Sequence, residues 1–244
     1  VAKVNPGGGG SYSVAIKNLG EIPALVAASA LFADYTLTVA VSVSAGTVAI
    51  ISAFPPFAHH EVMIDLLVLL GILMIVNLRG VRESSTAFVF PTYAFILGIL
   101  MLIISGVHQA LTGVAPIIPQ ESLQRQFDWT MLGLILRAFA NGCSSMTGVE
   151  AISNGVPMFK KPEVKNAQVT TYLLSGLLGL MFLGITFLLM HYHINPLAEV
   201  TALSQLAEIT LGRGWIYYYI QITTMLILYL AANTSFKSLP PFMS

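Results

Sequence analysis

The chain is predicted to be an all-α integral membrane protein, and three observations carry that prediction. Hydrophobic residues make up 56% of its 244 positions and charged residues only 9%, whereas a soluble domain has about 25% charged residues. Six segments stay apolar over the roughly 20 residues that a helix needs to cross a bilayer. One of these segments is interrupted at 141–150 by a run rich in glycine and hydroxyl residues. We therefore expect a multi-pass protein of the cell membrane, with the lipid bilayer as its main surroundings.

The spans follow from continuous hydropathy along the chain. They are 22–54, 62–78, 87–107, 129–156 with the interruption, 169–192 and 215–236. Between the last two, segment 195–212 places Leu203, Leu206 and Ile209 at helical spacing. This pattern predicts an amphipathic helix lying on the membrane surface.

Basic residues lie mostly on one side of these spans. That side carries eight of them, Lys3, Lys17, Arg79, Arg82, Lys160, Lys161, Lys165 and Lys237, against Arg125 and Arg213 on the other. Because cytoplasmic loops carry the excess of lysine and arginine, loop 160–165 is predicted to be cytoplasmic and loop 107–128 external. The scattered basic residues and the zero net charge argue against a nucleic-acid partner.

The interruption holds the first candidate functional residue. Thr147, Gly148, Val149 and Glu150 have the spacing of a capping box, which predicts a half-helix that begins near Gly148 with its positive end toward the membrane interior. Capping alone would explain Glu150. A carboxylate at bilayer depth is costly, however, and interrupted spans mark the substrate sites of secondary transporters. We therefore expect Glu150 to act in transport.

Asp34 is the second candidate. It lies about 18 Å into the first span, near the middle of an apolar core roughly 30 Å thick. Counted from Lys160, Glu150 lies roughly 15 Å from the same side, so the two acids share a depth. Thr38 follows Asp34 by one helical turn, and Tyr35 lies at the edge of the same face. Packing between helices is the alternative explanation for the hydroxyl residues.

Four blocks of sequence carry a resemblance to a known family: 34–42, 77–84, 137–157 and 232–236. They resemble the amino acid, polyamine and organocation (APC) transporter superfamily and, within it, the KimA-type bacterial potassium-proton symporters. The resemblance implies a five-plus-five inverted repeat with a broken sixth helix. Residues 1–244 are then expected to form a single transmembrane domain. Since the chain also has no initiator methionine, we expect a fragment that runs from the end of helix two through helix eight, with earlier and later helices missing.

The resemblance also implies an ion site. It falls on Asp34, Tyr35 and Thr38 of the third helix and on Thr147 and Glu150 of the sixth. Potassium ions and protons are the implied transported species, with no cofactor, no catalytic residues and no enzymatic activity, and a homodimer is possible.

Three functions remain open from the sequence. Oxygen-rich groups at a helix break and paired acids favour potassium uptake coupled to protons by alternating access. An amino acid or polyamine permease of the same superfamily is the second, although Glu150 would compete with a substrate carboxylate for the amides at the helix end. The third is a non-transporting membrane scaffold, against which the paired acids argue.

Overall fold

The computed structural model describes residues 10–74, 85–113, 129–144, 152, 155–195 and 200–238. Its regular elements within these ranges are helices, which agrees with the predicted all-α fold. In chain order they are α1 (Gly10–Leu19), α2 (Glu21–Ala53), a 3-10 helix (Pro55–His60), α3 (Glu61–Leu66) continued by a π-helix (Leu67–Met74), α4 (Ser85–Thr112), α5 (Trp129–Ser144), a 3-10 turn (Val156–Met158), α6 (Glu163–His191), α7 (Ala202–Leu211) and α8 (Trp215–Ser238).

Four of the described helices are long and apolar enough to cross a membrane. They are Glu21–Ala53, Val89–Thr112, Glu163–His191 and Trp215–Phe236, and they match the first, third, fifth and sixth predicted spans. The second predicted span is described only as far as Met74, and the fourth chiefly by α5. The predicted break in the fourth span falls mostly outside the described residues, and Asn141 to Ser144 are helical.

The chain divides into two compact units. The first comprises Val1–Asp34 and Glu121–Leu180, and the second comprises Tyr35–Gln120 and Met181–Ser244. The second unit therefore holds most of α2, the segment from α3 to α4, the end of α6, and both α7 and α8.

One apolar cluster of the second unit joins α4, α6, α7 and α8. Its buried members include Leu102, Leu188, Leu206, Tyr217 and Ile220, each at most 1% exposed. Two glycines allow α4 and α6 to pack closely. A Cβ atom on Gly106 would lie 2.7 Å from Leu188, and one on Gly184 would lie 2.8 Å from Ile103. Small residues serve this purpose at helix interfaces in membranes, where close packing drives helix association.

Helix α7 is the predicted amphipathic helix, in a shorter form. The Oγ1 atom of Thr201 accepts a hydrogen bond from the backbone N–H of Ser204 at 3.0 Å and caps its first turn. Gly212, with φ of 67°, ends the helix in a backbone conformation that favours glycine. Leu206 and Ala207 are fully buried in the apolar cluster, so α7 packs its apolar face on α4 and α8 of its own unit.

A second apolar cluster joins α2, the π-helix and α8. Val39, Val43, Val68 and Ala232 are buried in it, and Ile64, Leu69, Tyr229 and Phe236 pack around them. The contacting residues of α2 and of α8 recur every three or four positions, which is the spacing of one helix face.

Candidate functional site

The structure describes three of the five residues of the predicted ion site. Asp34 is half-buried and is the last residue of the first unit along α2. Tyr35 is buried, with 5% of its surface exposed, and Thr38 is half-buried; both belong to the second unit. Thr147 and Glu150 lie outside the described residues. The grouping of the five into one site therefore stays a prediction.

Helix α2 has one continuous buried face within the second unit. Along it Tyr35, Val39, Ser42, Val43 and Thr47 are all at most 7% exposed. Thr38 lies beside this face, because it is one turn beyond Asp34 and one position before Val39. Thr38 thus lies at the boundary between the buried face of α2 and its more exposed side.

A polar group that our sequence reasoning missed lies farther along α2. The Oγ1 atom of Thr47 and the hydroxyl of Tyr229 in α8 are hydrogen-bonded at 3.0 Å. Asp65 of α3 directly follows Ile64, which packs in the same apolar cluster as Tyr229. Asp65 is half-buried, and its Oδ1 atom is buried without a hydrogen-bond partner. We call Thr47, Asp65 and Tyr229 the Asp65 cluster. The signal was present in the sequence, since Asp65 is the one acid within the predicted span 62–78.

A second polar network joins α7 to α2 and α8. The hydroxyl of Tyr217 donates to the carbonyl oxygen of Ser52 at 2.9 Å and is 2.7 Å from Oγ of Ser204. The Oγ atom of Ser52 accepts a hydrogen bond from the backbone N–H of Thr201 at 3.1 Å. All these groups are hydrogen-bonded to one another and belong to helix ends, so we assign the network a structural role.

An ion pair between α7 and the turn that follows it lies outside the membrane-spanning segments. Glu208 of α7 contacts Arg213 at 3.1 Å, and both side chains are well exposed. The negative charge of Glu208 raises the pKa of the Arg213 guanidinium, which also lies 5.6 Å from the ring centre of Tyr217. An exposed pair of this kind contributes little to stability.

Within the ranges that the structure describes, no three His, Cys, Asp or Glu side chains come together as a metal site. The predicted ion site has a different composition. It combines two carboxylates with three hydroxyls, and one of its carboxylates, Glu150, is outside those ranges.

Comparison with known proteins gives two findings. Residues 1–240 match the sequence profile of a family described as amino acid permease. Over 236 residues the chain is 46% identical to the potassium transporter KimA of Bacillus subtilis (strain 168). That alignment covers 96% of this chain and 39% of the relative, so the chain spans about two fifths of the length of the curated relative that it matches.

Proposed function

Because this chain belongs to the amino acid permease family, we propose that it serves a secondary transporter that takes up potassium ions together with protons by alternating access. The observation that carries the choice of substrate is the 46% identity to a potassium transporter over nearly the whole chain. The family description by itself names a different substrate, an amino acid. The chemistry of the candidate residues has to decide between the two.

That chemistry favours a cation. Potassium enters a binding site by exchanging its water shell for oxygen ligands. Asp34 and Thr38 are one turn apart on α2 and so lie on the same side of the helix. With Tyr35 they offer a carboxylate and two hydroxyls within five residues. In our proposal Asp34 holds the cation, and Thr147 adds a further hydroxyl oxygen.

Glu150 supplies the coupling to protons in this proposal. Two carboxylates at one depth repel each other unless a cation or a proton lies between them. Glu150 would therefore carry a proton while Asp34 holds the cation, so that the two positive charges offset the two carboxylates and both ions cross the membrane together. An amino acid substrate brings a carboxylate of its own, which would add to the repulsion.

The test is rubidium and potassium uptake by the full-length gene product, expressed in cells that lack their own potassium uptake systems. We expect growth at limiting potassium to depend on the gene, and Asp34→Asn to weaken rubidium uptake because the cation loses its charged ligand. An excess of unlabelled amino acids should not compete.

The opposite pattern would identify an amino acid permease. In that case one amino acid would compete strongly with the labelled substrate, and growth at limiting potassium would not depend on the gene.

A further inference from the structure

We propose that the Asp65 cluster is a second binding site for a monovalent cation. It is separate along the chain from the residues of the predicted ion site, since Thr47 lies roughly 20 Å beyond Asp34 along α2. Its three ligands come from three helices of one compact unit: α2, α3 and α8.

The position of Tyr229 is the first observation. Its ring crosses α2 at Gly46, where an added Cβ atom would lie 2.5 Å from Cε1 of the ring. Glycine at this position allows the ring to lie against the α2 backbone. The phenol hydroxyl then comes within 3.0 Å of the Thr47 hydroxyl, which belongs to a residue with no exposed surface.

The second observation is the condition of Asp65. Its Oδ1 atom is buried and makes no hydrogen bond, and no basic side chain among the described residues forms an ion pair with it. Asp65 as a whole is half-buried, and a buried carboxylate oxygen without a partner is an unfavourable arrangement that a bound ligand can relieve. Ile64 directly precedes Asp65, and Leu69 follows it by one helical turn. Both are apolar residues that pack around the second cluster, so neither side chain offers Asp65 a polar contact.

A bound cation would give the Oδ1 atom of Asp65 a partner and would balance the charge of the carboxylate. The hydrogen bond between Thr47 and Tyr229 uses one hydroxyl proton and leaves lone pairs on both oxygens. Asp65 directly follows Ile64, which packs in the same apolar cluster as Tyr229. One carboxylate and two hydroxyls give a bound sodium or potassium ion a single compensating charge and neutral oxygens. The same three groups hold too few charges for a divalent ion, which commonly takes several carboxylates.

The inference rests on the proposed function only for the identity of the cation as potassium. The site itself follows from the geometry. If the protein carries potassium, this cluster gives the ion a second position, nearer the Ala53 end of α2 than the Asp34 position is.

The test is equilibrium binding of radioactive rubidium and sodium to the purified full-length protein in detergent, with choline chloride holding the ionic strength constant. We expect Asp65→Asn to lose one bound ion per protein. Tyr229→Phe and Thr47→Val should bind that ion about tenfold more weakly, in the range seen when a supporting group of a metal site is removed. Glu61→Gln is the matched control, because it removes an acid one turn earlier in α3.

Each outcome decides between the proposals. Unchanged ion number and affinity in Asp65→Asn and Tyr229→Phe would overturn the second site, whatever the uptake assays show. If Asp65→Asn does not fold, Tyr229→Phe and Thr47→Val decide alone, because both keep the carboxylate. Loss of sodium binding in Asp65→Asn, together with a wild-type protein that neither binds nor transports potassium, would uphold this site and refute the proposed function.

Discussion

At Glu150, one substitution can separate the effect of the charge from the effect of helix capping. A glutamine side chain can still accept the backbone N–H bonds of a capping box, but it carries no charge and cannot transfer a proton. We therefore expect Glu150→Gln in the full-length gene product to abolish rubidium uptake driven by an imposed pH gradient. The amount of protein in the membrane should stay at the wild-type level in an immunoblot.

The matched control for this change is Glu163→Gln. Glu163 lies in the first turn of α6 and within the predicted cytoplasmic loop 160–165. The Glu163→Gln variant should therefore transport normally. Wild-type uptake by Glu150→Gln would mean that Glu150 only caps the half-helix.

Tyr217 shows how one hydroxyl can hold several helices together. It is fully buried and donates its single proton to the carbonyl oxygen of Ser52, so the hydroxyl of Ser204 must donate to it. Tyr217→Phe would leave both groups without their partner in a dry environment, at a cost of about 1–3 kcal/mol. We expect a lower melting temperature in detergent for Tyr217→Phe.

Tyr218→Phe provides the comparison for Tyr217. The ring of Tyr218 stacks on Phe54 at 5.4 Å, and no hydrogen bond of its hydroxyl is found among the described residues. An equal loss of stability in the two variants would contradict the role that we give to the buried hydroxyl.

At the scale of the elements, α7 depends on its ends. A ten-residue helix is too short to be stable by itself, and its N-cap supplies part of what it lacks. We expect Thr201→Ala to lower stability by about 1 kcal/mol and Thr201→Ser to retain most of it, because serine can also accept the Ser204 N–H bond. The melting temperature in detergent measures the stability of both variants. Equal melting temperatures would show that the lost stability of Thr201→Ala does not come from the lost cap.

Hydropathy located four of the six predicted spans among the described helices but misjudged some of their ends. The first span was predicted as 22–54 and α2 is Glu21–Ala53; the helix stops where Pro55 disfavours helical backbone at the preceding residue. The fifth was predicted as 169–192, yet α6 begins at Glu163. A helix does not end where the lipid ends, so polar residues at the N-terminal end of α6 extend it beyond the apolar stretch.

At the scale of the whole molecule, periodicity predicts which face of a helix is buried but not which helix covers it. The contact between Thr47 and Tyr229 joins residues 182 positions apart, and nothing in the sequence of either segment indicates that the two residues meet. Asp65 was visible in the sequence as an acid inside a span, but its neighbours were not. The predicted pairing of Asp34 with Glu150 has the same limitation, because it rests on equal depth and not on a contact.

The last prediction concerns the direction in which the chain crosses the membrane. Eight basic residues against two place loop 160–165 in the cytoplasm and loop 107–128 outside. In a Cys143→Ser background of the full-length gene product, single cysteines at Ser122 and Lys165 should differ in their labelling by a membrane-impermeant thiol reagent. On intact cells Ser122→Cys should be labelled and Lys165→Cys should not, whereas both should be labelled after the cells are opened. Labelling of position 165 alone on intact cells would reverse the topology. The half-helix that is predicted to begin near Gly148 would then run from the membrane interior toward the outside and not toward the cytoplasm.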